Sequence, residues 1–445
     1  MDIKLFNSLT NKKETFKSIV PNEVSFYVCG STVYDSPHIG NLRPIVAFDI
    51  LRRLFLYLNY KVIYVSNFTD VDDKIIKKAI EEQVDEMTIA NRYIAEIKDV
   101  IKNINSLPAT INPRVSEYMD KIIAYINNLI KTDHAYLLDG DVYFKIDSIS
   151  NYGELSKINI EDLKVGARIE EKTGKKSPLD FALWKKTDIG IKWPSPWGLG
   201  RPGWHTECCV MIDSIFSRGL IDIHGGGFDL KFPHHENEIA QNKASHNNKL
   251  ANYWVHNGFV TFGEDKMSKS LGNVILAKDA IKQYGGNVVR LALLLSHYRA
   301  PVKFNQETIA NTQAIIERII NTYNKIAVKL QLSDVDLNSL KNSNIIPFVN
   351  SLADDLNVSN ALTYLFDVLK DANNDLRKKP CDLNKLSIAY KSIKDMLDLL
   401  GLKIIPHTLN NEDKQLLKKY ELARSNKDYQ KSDILRKELI KRNLI

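Results

Sequence analysis

The chain has 445 residues, 44% of them hydrophobic and 26% charged, with a net charge of +7, which describes an ordinary soluble globular protein long enough for about three domains. No apolar run approaches the roughly 20 residues of a membrane span, and the opening MDIKLFNSLTNKKE lacks the apolar core of an export signal, so a cytoplasmic location is expected. Four cysteines, Cys29, Cys208, Cys209 and Cys381, exclude a disulfide framework and suit a reducing compartment, where thiols are core filler or metal ligands.

The first informative stretch is FYVCGSTVYDSPHIGN, Phe26 to Asn41. A β-rich run (Val24, Phe26, Tyr27, Val28) passes Cys29 and Gly30 and reaches His38-Ile39-Gly40-Asn41 just before a helical pattern. Strand ends followed by helix starts bind phosphates, because unpaired backbone N–H groups and the helix dipole face the ligand there. Gly40 lets a nucleotide approach closely, and His38 can donate to phosphate. The helix that follows has apolar residues at Val46, Ala47, Ile50, Leu51, Leu54, Phe55 and Leu58, with Arg43, Asp49, Arg52 and Asn59 outside that stripe.

A second strand is expected over Lys61 to Phe68, ending in NFTDVDDKI, and a helical stretch to about Asn105. The repeated β-then-α order predicts a parallel sheet with right-handed crossovers. From about Pro113 to Gly200 the pattern becomes turn-rich and reads as an insertion. The sheet pattern resumes with Leu220 to His224 and runs into Gly225-Gly226-Gly227-Phe228-Asp229. Those glycines permit close backbone approach to a ligand, and Asp229 is placed for ribose hydroxyls.

Trp204-His205-Thr206-Glu207-Cys208 follows the insertion, and Pro233-His234-His235-Glu236-Asn237-Glu238 opens a helix with Pro233 in its first turn. Four residues separate His234 from Glu238, so both face one side of that helix. With Cys29 and Cys208 they make two thiolates, an imidazole and a carboxylate, a set suited to tetrahedral zinc. Cys209 competes with Cys208 for the role.

Lys266-Met267-Ser268-Lys269-Ser270 comes next, with two lysines able to hold phosphates of ATP and stabilise charge at the α-phosphate. Beyond it the chain reads as helix: Asn287 to His297 as a buried segment, then Asn305 to Lys329, Ile345 to Lys378 and Leu386 to Leu400. From Lys414 to Ile445, ten Lys and Arg stand against four Asp and Glu, a basic end suited to RNA.

PHIGN and KMSKS in this order resemble the two signatures of the class I aminoacyl-tRNA synthetases. Asn41 replaces the final His of the first signature; an amide still donates a hydrogen bond, so a modest effect on rate is expected. YVCG, PHIGN, NFTDVDDKI, GWHTEC, DIHGGGFDLKFPHHENE and KMSKS together resemble the cysteinyl-tRNA synthetase family. The resemblance implies an α/β fold: a Rossmann-like parallel-sheet catalytic domain with an insertion, then an α-helical bundle and a small C-terminal tRNA-binding segment. The divisions are a catalytic domain over 1–112 and 201–260, split by a connective insertion over 113–200. The signature-loop region over 261–304, the bundle over 305–402 and a basic anticodon-side segment over 403–445 follow.

The resemblance also implies the chemistry. One Zn2+ per chain on Cys29, Cys208, His234 and Glu238 would hold the substrate thiol. Trp204, His224 and Thr69 would form the cysteine pocket. ATP with Mg2+ would lie over Gly40 and Gly226, with His38 and Asn41 at its phosphates, Asp229 at its ribose and Lys266 and Lys269 on the triphosphate. The implied partners are tRNA(Cys), L-cysteine and ATP, with no membrane, and a monomer is expected. The nearest rival is a related ligase joining cysteine to an amino-sugar, which would not need the basic end.

Overall fold

A computed structural model describes residues 1–158, 174–217, 219–262, 265–266, 274–442 and 444. The chain opens with an antiparallel pair, β1 (Lys4–Asn7) and β2 (Lys12–Thr15). β3 (Glu23–Val28) then enters the main sheet and leads through the signature loop into helix α1 (Ile39–Tyr57). β4 (Lys61–Ser66) lies parallel to β3, and helices α2 (Asp73–Glu82) and α3 (Glu86–Asn103) follow.

The next stretch contains helix α4 (Met119–Lys131) and an antiparallel sheet of β5 (Ala135–Leu138), β6 (Asp141–Phe144), β7 (Phe181–Lys186) and β8 (Gly200–Pro202). A turn-rich insertion was expected there, and α4 departs from it. Its buried residues Met119, Ile122, Ile126 and Leu129 follow helical spacing, a signal short enough to be masked by its neighbours.

Helix α5 (Glu207–Phe216) leads back to the main sheet at β9 (Ile221–Gly227), and helix α6 (Glu236–His246) leads to β10 (Ala251–Asn257). The parallel order is β10-β9-β3-β4, so the chain adds β4 on one side of β3 and β9 on the other. That reversal leaves a crevice at the carboxyl ends of β3 and β9, where open α/β sheets bind ligands. β11 (Val260–Phe262) pairs with β12 (Asp265–Lys266) and later with β13 (Val302–Lys303), beyond helices α7 (Ala277–Tyr284) and α8 (Gly286–Leu294).

The remainder is helical: α9 (Gln306–Leu332), α10 (Ile346–Ala353), α11 (Val358–Arg377), α12 (Leu383–Leu400), α13 (Asn411–Ser425) and α14 (Tyr429–Lys441). Among the described residues, no helix is long and apolar enough to cross a membrane.

Three expectations change here. Ile345 to Lys378 is two helices, broken where Asp355 and Leu356 take left-handed backbone angles, φ +59 and +54. Arg43 and Asp49, outside the apolar stripe of α1, are 1% and 4% exposed. The cause is that α1 is covered twice, by the sheet on its apolar face and by α8, α10 and α12 elsewhere. Pro233 also falls short of the regular helix, in a wide turn over Lys231–His235 where Phe232 is extended, and α6 begins at Glu236.

Candidate active site and metal centre

Cys29 follows the last residue of β3, at the carboxyl edge of the sheet. Its Sγ lies 3.6 Å from Cys208 Sγ, on the first turn of α5, and 3.5 Å from Glu238 Oε1 on α6. His234 Nε2 lies 3.7 Å from Cys208 Sγ and 2.8 Å from Glu238 Oε1. A tetrahedral site with sulfur about 2.3 Å from zinc puts two sulfurs about 3.8 Å apart, so the thiols stand at a fitting separation. All four donor atoms fall within 4.8 Å of one another. Cys209 is buried away from them, its Sγ near the carbonyls of His205 and Glu238.

A second grouping, Cys29, His224, His235 and Glu238, overlaps the first. His235 Nε2 approaches Cys29 Sγ at 3.4 Å, while its Nδ1 meets His256 Nε2 at 2.8 Å and His256 Nδ1 meets Ser8 Oγ at 2.8 Å. The sequence reading passed over His205, Glu207, His235 and His256. Their signal was adjacency to His234, Cys208 and strand β10, but three of these elements meet only in the folded chain.

The electrostatics suit a cation. Burial and the neighbouring Cys208 push the Cys29 thiol up, whereas its hydrogen bond with Cys29 holds Cys208 down at about 6 despite burial. Burial opposes a charged His234, but Glu238 and Cys208 override it and raise its pKa to about 10. Burial works against the Glu238 carboxylate too, yet His224 and His234 keep it well below the usual range. A divalent metal replaces such shared protons on thiolate and imidazole donors.

Beside this cluster runs a cleft of about 610 Å3, lined among others by Cys29, His38, Gly40, Asn41, Trp204 and Asp229. Trp204 stacks on His234 with ring centroids 4.1 Å apart, so it belongs to both. His38 caps α1: its Nδ1 accepts from the Gly40 N–H at 3.0 Å, and Asn41 Oδ1 accepts from the His38 N–H at 3.0 Å. A Cβ on Gly40 would stand 2.7 Å from His38 Cε1, so the glycine accommodates the capping imidazole as well as any ligand.

The three glycines of β9 divide their roles. A Cβ on Gly225 would strike the Phe48 ring of α1 at 2.7 Å, and one on Gly226 would meet His235 Cε1 at 2.8 Å. Only Gly227 lines the cleft, with Asp229 beyond it. Gly226 lies against His235 and Leu230 and is not among the residues that line the cleft. Thr69 and His224 are also buried behind it: the Thr69 hydroxyl donates to Glu207 Oε2 at 2.8 Å, and His224 Nε2 stands 2.6 Å from Glu238 Oε2.

Residues a few positions beyond the second signature pack on the first signature loop. Ile275 O accepts from the Ile39 N–H at 3.0 Å, and Pro37 O accepts from the Ala277 N–H at 2.8 Å, which ties residues 275–277 to the first signature loop. Lys266 is paired through its backbone with Thr261 in β11. Lys269 lies outside the described residues.

Residues 15–314 match the family described as the tRNA synthetases class I (C) catalytic domain, and residues 347–404 match the DALR domain. A cysteine–tRNA ligase of Acholeplasma laidlawii is 42% identical over 445 residues, covering all of both chains. One of Staphylococcus epidermidis is 44% identical, covering all of this chain and 97% of that protein. Among solved structures, a ternary complex of an Agrobacterium radiobacter LeuRS with tRNA and LeuAMS has a TM-score of 0.60 at 10% identity, covering 87% of this chain and 84% of that one. A methionyl-tRNA synthetase of Mycobacterium tuberculosis with methionyl-adenylate has a TM-score of 0.56 at 12% identity, covering 85% and 82%. These two likenesses speak for the fold. Identity above 40% across the whole chain is a family relation, and the chain belongs to the cysteine–tRNA ligase family of the class I tRNA synthetases.

Proposed function

We propose that this protein joins L-cysteine to tRNA(Cys) through a cysteinyl-adenylate, with one zinc ion per chain held by Cys29, Cys208, His234 and Glu238. The observation that carries the reading is this donor set lying against the cleft, with Cys29 common to both and the cleft residue Trp204 stacked on His234. Bound there, zinc supplies a preference for a soft thiolate over the hydroxyl of serine, a distinction that shape makes poorly. Trp204 walls the cysteine pocket, and Thr69 and His224 support it from behind through Glu207 and Glu238.

ATP with Mg2+ is the second substrate. His38, Gly40 and the start of α1 take its phosphates, with Asn41 fixing the cap, and Asp229 takes its ribose. The cysteine carboxylate attacks the α-phosphate and pyrophosphate leaves, while Lys266 and Lys269 stabilise the charge on the triphosphate. A terminal ribose hydroxyl of the tRNA then attacks the carbonyl and AMP leaves. The chain contributes positioning and fixed charge, without a covalent enzyme intermediate. Exposed Lys418, Lys419, Arg424, Lys431 and Lys437 on α13 and α14 suit the RNA backbone on the anticodon side of a monomer.

Transfer of labelled cysteine to unfractionated tRNA, with ATP, magnesium and zinc-loaded protein, tests the whole reading. Charging with cysteine alone is the expected result. Pyrophosphate exchange without charging would point to the amino-sugar ligase instead. Serine should support exchange very poorly, and comparable turnover of the two amino acids would sink the role of the metal in selection. Lys269→Ala is expected to slow adenylate formation by on the order of a hundredfold with cysteine binding little changed; single-turnover rates at saturating ATP measure this.

A further inference from the structure

The break between α10 and α11 stores strain. Asp355 and Leu356 are consecutive left-handed residues, a conformation that a non-glycine residue keeps only where its surroundings hold it. Aspartate tolerates the conformation better than leucine does. Both residues are buried, 1% and 2% exposed, so the surrounding contacts enforce the geometry.

Those contacts converge on Asp355. Its Oδ1 accepts from the Phe6 N–H at 2.9 Å and the Tyr298 hydroxyl at 2.7 Å. Its Oδ2 accepts from Arg299 Nε at 3.0 Å and pairs with Arg299 Nη2 at 2.9 Å. His297 Nε2 lies 2.8 Å from its carbonyl oxygen, and its own N–H donates to Lys4 O at 2.9 Å. One residue of the helical bundle thus grips both residues 4–6 and residues 297–299.

The second segment leads straight to the cleft. Tyr298 O accepts from the Gly258 N–H at 2.8 Å, and Phe259 O accepts from the Val302 N–H at 2.9 Å. A Cβ on Gly258 would lie 2.6 Å from the Ala300 carbonyl carbon, so the two backbones touch with nothing between them. Gly258, Phe259 and Val260 line the cleft, and Val260 begins the strand whose other neighbour, β12, carries Lys266. Arg43 of α1 supports the same segment, its Nη2 donating to the carbonyls of Ser296, His297 and Ala300.

We propose that Asp355 is a positioning residue for ATP: through Tyr298 and Arg299 it holds residues 258–260, and with them the strand bearing Lys266, at the height the triphosphate requires. The proposal rests on ATP occupying the cleft. The cysteine side depends on a different set of contacts, those of Cys29, Cys208, His234 and Glu238, so the effect of Asp355 falls on one substrate.

The test is cysteine-dependent ATP–pyrophosphate exchange with full-length, zinc-loaded Asp355→Asn and Arg299→Ala, each normalised by active-site titration. Arg299 is 39% exposed, so its removal opens no cavity in the core, and the Asp355 carboxylate keeps the Tyr298 hydroxyl and the Phe6 N–H as partners. The KM for ATP is expected to rise about tenfold in Asp355→Asn and about fivefold in Arg299→Ala, with the KM for cysteine within about twofold of wild type. A merely structural role would lower the titrated fraction and move neither KM. That result, or equal rises in both KM values, overturns the proposal. Wild-type protein without cysteine-dependent exchange would overturn the reading on which it rests, a distinct failure.

Discussion

Cys208→Ser is expected to strip the protein of zinc and to lower cysteine-dependent pyrophosphate exchange by at least a hundredfold. The lower bound follows because outer-shell partners of a metal ligand already cost about 10–100-fold when removed, and in the proposed site Cys208 would itself be a donor. An alkoxide is a poor, hard ligand beside the thiolate of Cys29. Cys209 gives the comparison: its sulfur is buried away from the donor set, so Cys209→Ser should retain the metal. Zinc content by atomic absorption and exchange rates on the same preparations would check both. Full zinc and full exchange in Cys208→Ser would shift attention to the overlapping grouping of Cys29, His224, His235 and Glu238.

Asp49→Asn should produce the largest loss of stability. Asp49 lies on α1, and its Oδ1 accepts from the Leu107 N–H at 2.8 Å while Oδ2 pairs with Arg53 Nε at 2.8 Å and with the Arg290 guanidinium. Arg290 is completely buried and also donates to Leu400 O at 2.6 Å, Ile104 O at 3.1 Å and Ser106 Oγ at 2.9 Å. Arg53 reaches Asp398 O at 2.8 Å and Asn105 O at 2.6 Å. One carboxylate therefore holds two cations against the carboxyl ends of α3 and α12, where helix dipoles favour positive charge.

Neutralising it leaves Arg290 as a buried charge with neutral acceptors alone, at a cost of about 3–5 kcal/mol. A fall of several degrees in the first thermal transition is expected, on the order of 2–4 °C per kcal/mol for a domain of this size. An unchanged transition would mean that the three neutral acceptors compensate Arg290 by themselves. The joint also admits no side chain at position 401: Gly401 has φ +65, and a Cβ there would lie 2.4 Å from Arg290 Cζ.

The elements were largely legible because their signals are local. β3, α1, β4 and the long stripes of α9, α11 and α12 follow periods of two or 3.6 that a linear reading finds. The candidate donor set was legible by chemistry, since two thiols, an imidazole and a carboxylate are the groups that suit such a site. The break at Asp354–Asn357 was invisible for the opposite reason. Neither glycine nor proline marks it, and contacts from residues 4–6 and 297–299 hold its angles.

The residues fixed in advance their own chemistry and periodicity: which thiols and imidazoles could bind a metal, where the long helices and strands run, and where basic charge accumulates. Only the tertiary structure decided which of them meet. Cys29 and Cys208 are 179 positions apart and touch because α5 meets the end of β3, where the Tyr27 hydroxyl also reaches Met211 Sδ at 3.5 Å. Gly225 and Gly226 became packing glycines because Phe48 and His235 arrived from other segments. Arg43 and Asp49 became buried because the bundle closed over the outer face of α1. Burial and proximity depend on atoms brought in by distant parts of the chain, and the period of one segment carries no record of what will cover it.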